Sequence, residues 1–159
     1  MLSSEKIILR TLKKSDLSFL KHIENNSDNW IFGSENRVFT DSELLQYIKN
    51  SKDNIVSAKQ FRWIIEYNNR SIGFIDLYDY SVTYAFLGII IESNFRNKGL
   101  AKESINIITN YAFSELKLER LYSKVLISNI KSINLFKSCD FKLDNKNDKF
   151  QIFVKLATQ

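Results

Sequence analysis

Residues 83–92, TYAFLGIIIE, form a nearly unbroken hydrophobic run in the middle of the chain. A strand with one face in water alternates apolar and polar residues. A run without that alternation reads as a strand buried on both faces. A sheet with such a strand at its centre needs helices packed above and below it, which sets the fold class as α/β or α+β.

The rest of the pattern supplies those helices. KIILR (6–10) reads as a short strand. TLKKSDLSFLKHIEN follows with Leu17, Leu20 and Ile23 at helical spacing and Ser15 as the expected N-cap. TDSELLQYIKN reads as a second helix, because Thr40 is followed three residues later by Glu43, a capping-box pattern. QFRWIIEY and SIGFIDLYDY flank the turn-like NNRS and predict an antiparallel hairpin. Residues 98–116 return to helical period, with Ala101, Ile105, Ile108, Ala112 and Leu116 on one face. RLYSKVLI (120–127) predicts a strand, NIKSINLFKSC (129–139) a helix and KFQIFVKL (149–156) a strand, with a further strand possible over 141–145. The expectation is a central mixed, mostly antiparallel sheet of six to seven strands flanked by about four helices. No proline, repeat or low-complexity linker marks a boundary, so residues 1–159 are expected to form one domain.

Composition excludes several functions. One cysteine, Cys139, and one histidine, His22, rule out a disulfide framework and a multi-ligand metal centre, so no metal is expected. The N-terminus, MLSSEKIILR, lacks the parts of a secretory signal, and no apolar run approaches the ~20 residues that span a bilayer. No membrane association and a cytoplasmic location are the expectation. The net charge is +5, but acids are interleaved with the bases throughout, so no nucleic-acid partner is expected.

Just beyond the buried run lies ESNFRNKGLAKESI, which places Gly99, one of four glycines, among Arg96, Lys98 and Lys102. The first backbone N–H groups of a helix lack intrahelical partners, and together with the helix dipole they attract an anion such as a phosphate. Glycine allows close backbone approach, and an arginine can hold phosphate through paired hydrogen bonds. The spacing matches neither the G-x-x-x-x-G-K-[ST] nor the G-x-G-x-x-G nucleotide loops. The alternative is a plain solvated turn and helix start.

RNKGLA (96–101) resembles the R/Q-x-x-G-x-G/A signature of the GNAT N-acetyltransferase superfamily, and it stands in the family's place between strand and helix. FSELKLERLYSKVLISNIKSINLFKSCDF is similar to the strand and helix that follow in that family. The resemblance covers nearly the whole chain, and the nearest look is to the branch of spermidine/diamine and ribosomal-protein N-terminal acetyltransferases. It implies a GNAT fold and an acetyl-CoA-dependent transfer of an acetyl group directly to a primary amine of a small molecule or a protein N-terminus. A catalytically idle acyl-CoA-binding module of the same fold is the alternative, and a homodimer is left open. The resemblance further implies that Arg96, Asn97, Lys98, Gly99, Leu100 and Ala101, with Lys102 adjoining, hold the cofactor's pyrophosphate. The main chain around Ile89 and Ile91 would pair with the pantetheine arm. Asn129 and Ser132 match positions lining the cofactor's other side, although Asn129 could equally cap its helix.

Three positions depart from the family pattern. Phe136 stands where a tyrosine often serves as general acid, Phe86 where polyamine acetyltransferases often carry glutamate, and Asp140-Phe141 where relatives have Gly-Phe. A thiol of pKa about 8.5 leaves tolerably without an acid near neutral pH. An alkyl amine of pKa about 10.4 costs roughly 4.6 kcal/mol to deprotonate at pH 7, against about 1 to 1.4 kcal/mol for an α-amine. Lower-pKa acceptors, α-amines or amino sugars, are therefore expected to do better than spermidine-like ones. Asp76 or Tyr84, directly or through a water chain, is the expected replacement proton acceptor. Asp28 and Glu35, in the loop with Trp30 and Phe32, are the acids expected to receive a cationic amine. His22 is expected at the surface, and Cys139 in the core.

Overall fold

The structure, a computed structural model, describes residues 2–32 and 37–158, with side chains of residues 30–32 outside the description. The element order is β1 (Leu2–Ser3), β2 (Ile7–Arg10), α1 (Leu17–Glu24), α2 (Asp41–Asn50), α3 (Ile55–Ala58), β3 (Phe61–Tyr67), β4 (Arg70–Tyr78), β5 (Tyr84–Ile91), α4 (Leu100–Ser114), β6 (Arg120–Leu126), α5 (Ile130–Ser138), β7 (Lys142–Lys146) and β8 (Phe150–Leu156). The strands form one eight-stranded sheet in the order β1-β2-β3-β4-β5-β6-β8-β7. Every pairing is antiparallel except β5 with β6, which α4 connects. The strand possible over 141–145 is formed as the fully exposed edge strand β7, and the two-residue β1 takes the count one beyond the expected six to seven.

Alternation along the strands divides the core in two. On one face Ile7, Leu9, Trp63, Ile65, Ile75, Leu77, Ala85, Leu87, Leu121 and Phe153 pack against Ile105, Ile108 and Ala112 of α4 and Ile133 and Phe136 of α5. On the other face Ile64 and Phe74 pack against Leu20 and Ile23 of α1 and Leu44 and Ile48 of α2. β5 is buried on one face, at Ala85, Leu87 and Ile91, while Tyr84, Phe86, Gly88 and Ile90 on the other face are all half-buried, so the burial on both faces expected from the sequence is not met.

The β3–β4 hairpin carries a bulge. Tyr67 pairs with Arg70 and Glu66 with Ser71, but Ile65 pairs with Gly73, so Ile72 is the extra residue. At Gly73 a side-chain carbon would collide with the Ile90 carbonyl oxygen, so the bulge is tolerated only by glycine.

Helix starts follow local chemistry. Thr40 Oγ1 accepts from the Glu43 amide at 3.1 Å and Glu43 Oε1 accepts from the Thr40 amide at 3.2 Å, closing the capping box of α2. The expected cap at Ser15 is not formed. A 3-10 turn spans Lys14–Asp16, and α1 begins at Leu17. Asp16 has the role instead of organising this corner. Its carboxylate accepts from the Lys13 amide at 2.7 Å and from Arg10 Nη1 and Nη2, both at 2.8 Å, while Arg10 Nε donates to Glu66 at 2.6 Å. Burial by itself would raise the Asp16 pKa. The hydrogen bonds from Arg10 and Lys13 outweigh it and hold the carboxyl below the usual carboxylate range.

Because the folded-state pKa of Asp16 is depressed, its contribution to stability is present above the unfolded-state pKa, about 3.9, and is lost as pH falls through the folded value. Asp16→Asn leaves Arg10 without its bidentate partner and should cost about 3 kcal/mol in urea unfolding at pH 7. The variant should also lose less stability than the parent between pH 5 and pH 2. A parallel pH dependence for the two proteins would contradict the assignment.

Candidate active site

The site originates where β5 and β6 part. They pair in parallel only at Tyr84–Arg120, Ala85–Leu121 and Phe86–Tyr122. Beyond Phe86, β5 stays paired with β4 through Ile91, and β6 stays paired with β8 through Leu126. The two strands therefore splay into a wedge, and from Leu87 onward no strand among the described residues covers the β6-facing edge of β5. The Glu92 amide donates to the Ile72 carbonyl at 2.7 Å, which fixes the alternation of the β4–β5 ladder. Residues 86, 88 and 90 bond toward β4, so the N–H and C=O of Ile89 and Ile91 point into the wedge. Both sequence-expected residues thus lie on its open edge.

At the wide end of the wedge the chain turns into α4. Asn97 (φ 61°) and Gly99 (φ 79°) are both left-handed, and Gly99 is the N-cap of α4. A side-chain carbon at Gly99 would meet nothing within 4 Å, so the glycine is required for its backbone conformation and not for a close protein contact. Left-handed residues beside a helix start turn consecutive amides the same way, the geometry of an anion-binding nest. Arg96 donates its amide to Ser93, and the next bonded amide is that of Glu103, which donates to the Gly99 carbonyl at 3.1 Å. Among the described residues the six amides from Asn97 to Lys102 have no protein acceptor. Six consecutive unsatisfied donors at a helix start, flanked by exposed Lys98 and Lys102, are what a diphosphate needs.

Arg96 is arranged differently from expectation. Its Nε donates to the Ile91 carbonyl at 2.7 Å and its Nη2 to Asn29 Oδ1 at 3.3 Å. The guanidinium ties the loop to the end of β5 and to residues 27–32, and does not project outward as a fork. Across the wedge, Asn129 caps α5: its Oδ1 accepts from the Ser132 amide at 3.2 Å. Capping accounts for the oxygen of Asn129, and its Nδ2 has no partner among the described residues.

On the face away from α4, alternation brings Gly88 to the wedge, with Asp76 beside it on β4 and Phe86 before it. Asp76 is not the unencumbered base expected from the sequence. Arg62 Nε and Nη2 donate to its two oxygens at 2.7 and 2.8 Å, and Arg62 Nη1 donates to Glu24 at 2.6 Å. Burial disfavours the Arg62 charge, but the attraction of Asp76 overrides it and raises its pKa well above the ordinary value. Both Asp76 oxygens thus already accept from one guanidinium, and the carboxylate stands beside Gly88 as half of an ion pair. Tyr84, the other expected acceptor, lies away from Gly88. It lies four residues before Gly88, about 13 Å along the strand, in the closed part of the wedge. There Tyr78, Tyr84, Phe86 and Tyr122 form a ring cluster with centroids 5.3 to 6.4 Å apart, Phe86 stacked on Tyr122. Burial first, then Asp79 and Asp76, push the Tyr78 phenol up to about 12, so it is protonated at neutral pH.

The remaining candidates are quickly placed. Phe136 is buried, its ring 5.2 Å from that of Phe141. His22 is exposed and Cys139 is buried. Asp28 is exposed, whereas Glu35 and the side chains of Trp30 and Phe32 lie outside the described residues. Among the described residues no helix is long and apolar enough to cross a membrane. A groove of about 450 Å3 on the far side of α4, lined by Asn110, Phe113, Ser114 and Lys155, brings together no comparable set of donors. Sequence reasoning missed Arg62, Asn29 and Tyr122 as parts of the site. Only the cross-strand register, or the packing of residues 27–32 on β5, reveals them.

The geometry has relatives. The model of the acetyltransferase (GNAT) domain family matches residues 6–142. The spermidine N(1)-acetyltransferase of Vibrio cholerae is 28% identical over 142 residues, covering 87% of this chain and 80% of that protein. The enzyme of the same description from Escherichia coli K12 is 25% identical over 150 residues, covering 92% and 78%. A solved structure of the Vibrio cholerae spermidine N-acetyltransferase, in complex with CoA and spermine, superposes with a TM-score of 0.86 at 25% identity, covering 98% of both chains. An acetyltransferase structure from Bacillus anthracis reaches the same TM-score at 18% identity and bears on the fold alone. The chain belongs to the GNAT acetyltransferase family and is an acetyl-CoA-dependent N-acetyltransferase.

Proposed function

We propose that acetyl-CoA lies along the open edge of β5, with its pyrophosphate on the amides of residues 97–102, and that its acetyl group passes directly to a primary amine. The observation that carries this reading is the run of six consecutive amides without a protein acceptor, continuous with an unpaired strand edge. The N–H and C=O of Ile89 and the N–H of Ile91 extend the pantetheine arm as an added strand, the Ile91 carbonyl being held by Arg96. Lys98 and Lys102 neutralise the diphosphate. Asn129 Nδ2 and Ser132 border the arm from the β6 side. The acceptor amine arrives from the face opposite α4, because α4 and α5 cover the other one, and it enters over Gly88 beside the Tyr78 ring, whose Cε1 lies 3.5 Å from where a Gly88 side-chain carbon would stand.

With Asp76 held by Arg62 and phenylalanine at positions 86 and 136, the ammonium gives one proton to water on the open face before attack. The neutral nitrogen then attacks the thioester carbonyl carbon, the C–S bond breaks and CoA departs as the thiolate. The nitrogen gives up a second proton as the amide forms, to water or to the departing thiolate. Positioning the two reactants supplies the acceleration. The curated relatives are named for spermidine, so spermidine is the reference acceptor for assay.

Two outcomes test the reading. Gly99→Val should weaken acetyl-CoA binding by calorimetry at least about tenfold, because a β-branched residue resists the left-handed conformation that aims the amides. A smaller effect on affinity than on urea stability would reduce Gly99 to a turn residue. Second, with chemistry limiting, kcat/KM should climb with pH toward the acceptor's own pKa, in Asp76→Asn as in the parent. A parent profile flat from pH 6 to 9 that becomes steep in Asp76→Asn would make Asp76 the base after all.

A further inference from the structure

One phenol on the acceptor side of the sheet has a hydroxyl without a protein partner. Tyr78 stands on β4 opposite Phe86, and the next pair on the same face is Asp76–Gly88. The Tyr78 ring leans diagonally toward that pair: its Cε1 lies 3.5 Å from where a Gly88 side-chain carbon would stand. Cε1 adjoins the ring carbon that bears the hydroxyl, so Tyr78 meets Gly88 with its hydroxyl end. Phe86 supports it there. The two ring centroids are 5.6 Å apart with planes 32° from parallel, and Phe86 is itself stacked on Tyr122.

The ionic groups beside this phenol are engaged with one another or with water. Both Asp76 oxygens accept from Arg62, whose Nη1 donates to Glu24, and Asp79 is exposed. The Tyr78 hydroxyl makes no hydrogen bond among the described residues. A half-buried donor therefore stands where the incoming amine meets the thioester. The reaction brings three atoms to that place. Sulfur is a poor partner for the proton: with the phenol pushed up to about 12, chiefly by burial, its transfer to a thiolate whose thiol titrates at about 8.5 runs uphill more than roughly a thousandfold. The amine nitrogen needs its lone pair for attack, and a donor there would occupy it. The carbonyl oxygen gains negative charge as the nitrogen adds, so it gains most from a fixed donor in the transition state.

We propose that the Tyr78 hydroxyl donates a hydrogen bond to the thioester oxygen, and that this bond strengthens as the oxygen becomes the oxyanion of the tetrahedral intermediate. This rests on the acetyl-transfer reading above and adds a catalytic residue to it. As the N–C bond forms, the carbonyl pair moves onto oxygen beside the phenol. As the C–S bond breaks, the pair returns and the thiolate leaves. Tyr78 keeps its proton throughout, so the proton balance of the transfer is unchanged. Phe86, which has no proton to exchange, serves through its ring, by holding the phenol over Gly88.

The experiment compares the parent with Tyr78→Phe, which keeps the ring and deletes only a hydroxyl that no protein group holds, and with Tyr78→Leu, which removes the ring as well. In Tyr78→Phe the single-turnover rate of acetyl transfer to spermidine, both reactants saturating, should fall at least about tenfold. Affinity for CoA, which has no thioester, should change by less than about twofold by calorimetry. The infrared spectrum of bound acetyl-CoA, labelled with 13C at the thioester carbonyl, reads the hydrogen bond directly. Its C=O stretch should lie at lower wavenumber in the parent than in Tyr78→Phe. This comparison needs no acceptor and holds whether or not spermidine is turned over. A carbonyl stretch unmoved by Tyr78→Phe, or a rate loss seen only in Tyr78→Leu, overturns the proposal while acetyl transfer stands. A loss confined to the KM for spermidine also overturns it and assigns the hydroxyl to amine binding. Failure of the parent to bind acetyl-CoA overturns both readings.

Discussion

The divergence of β5 from β6 after Phe86 is the constraint on which the rest of the site depends. A parallel pair that stayed closed would satisfy its own backbone groups and leave no room for a ligand. Splayed, it presents a strand edge whose N–H and C=O groups need partners, and such groups are costly to leave unmet away from water. The same divergence separates the starts of α4 and α5, which follow the two strands. The Asn97–Lys102 amides come to stand on one side of the wedge and Asn129 on the other. Stability and function meet here, since the groups left unsatisfied by the fold are those a cosubstrate can satisfy.

Two arginines stabilise the wedge in ways that a list of charges would not reveal. Arg96 secures the loop to the Ile91 carbonyl and to Asn29, joining the run of unbonded amides at residues 97–102 to the segment that follows α1. Arg62 joins β3, β4 and α1 through Asp76 and Glu24, and it also lies 4.7 Å from the Phe74 ring and 5.2 Å from the Tyr47 ring. Both are positioning groups. Their effect is to hold Gly88 and the nest at a fixed separation, which matters because a displacement of about 1 Å in reacting groups can cost two orders of magnitude in rate.

Much of this was legible in the sequence. The uninterrupted run at 83–92, followed by a glycine among basic residues and a helical period, located β5, the nest and α4 without a structure. The sequence allows Asn129 to be a cap or a cofactor neighbour, and the cap is formed. The fate of Asp76 was hidden by a single residue. Counting back from the Asn68-Asn69 turn without a bulge would set Arg62 opposite Ile75, on the wrong face. The extra residue at Ile72 shifts the register by one and sets it opposite Asp76. No composition or periodicity signals that slip. Arg96 shows the same limit: its type and place were right for anion binding, but its guanidinium direction depends on a carbonyl and an amide brought there by tertiary packing. Ser15 gave way to Asp16 because Arg10, on a different element, competes for the corner.

The central claim is that residues 97–102 and the free edge of β5 form one continuous cosubstrate site. Titration of uniformly 15N-labelled protein with acetyl-CoA, followed by amide chemical shifts, tests it residue by residue. The account predicts the largest perturbations at the amides of residues 97–102 and at Ile89 and Ile91, with the Asn110–Ser114 end of α4 unmoved. Perturbations concentrated at Asn110 and Ser114, with the amides of residues 97–102 unchanged at saturation, would contradict it.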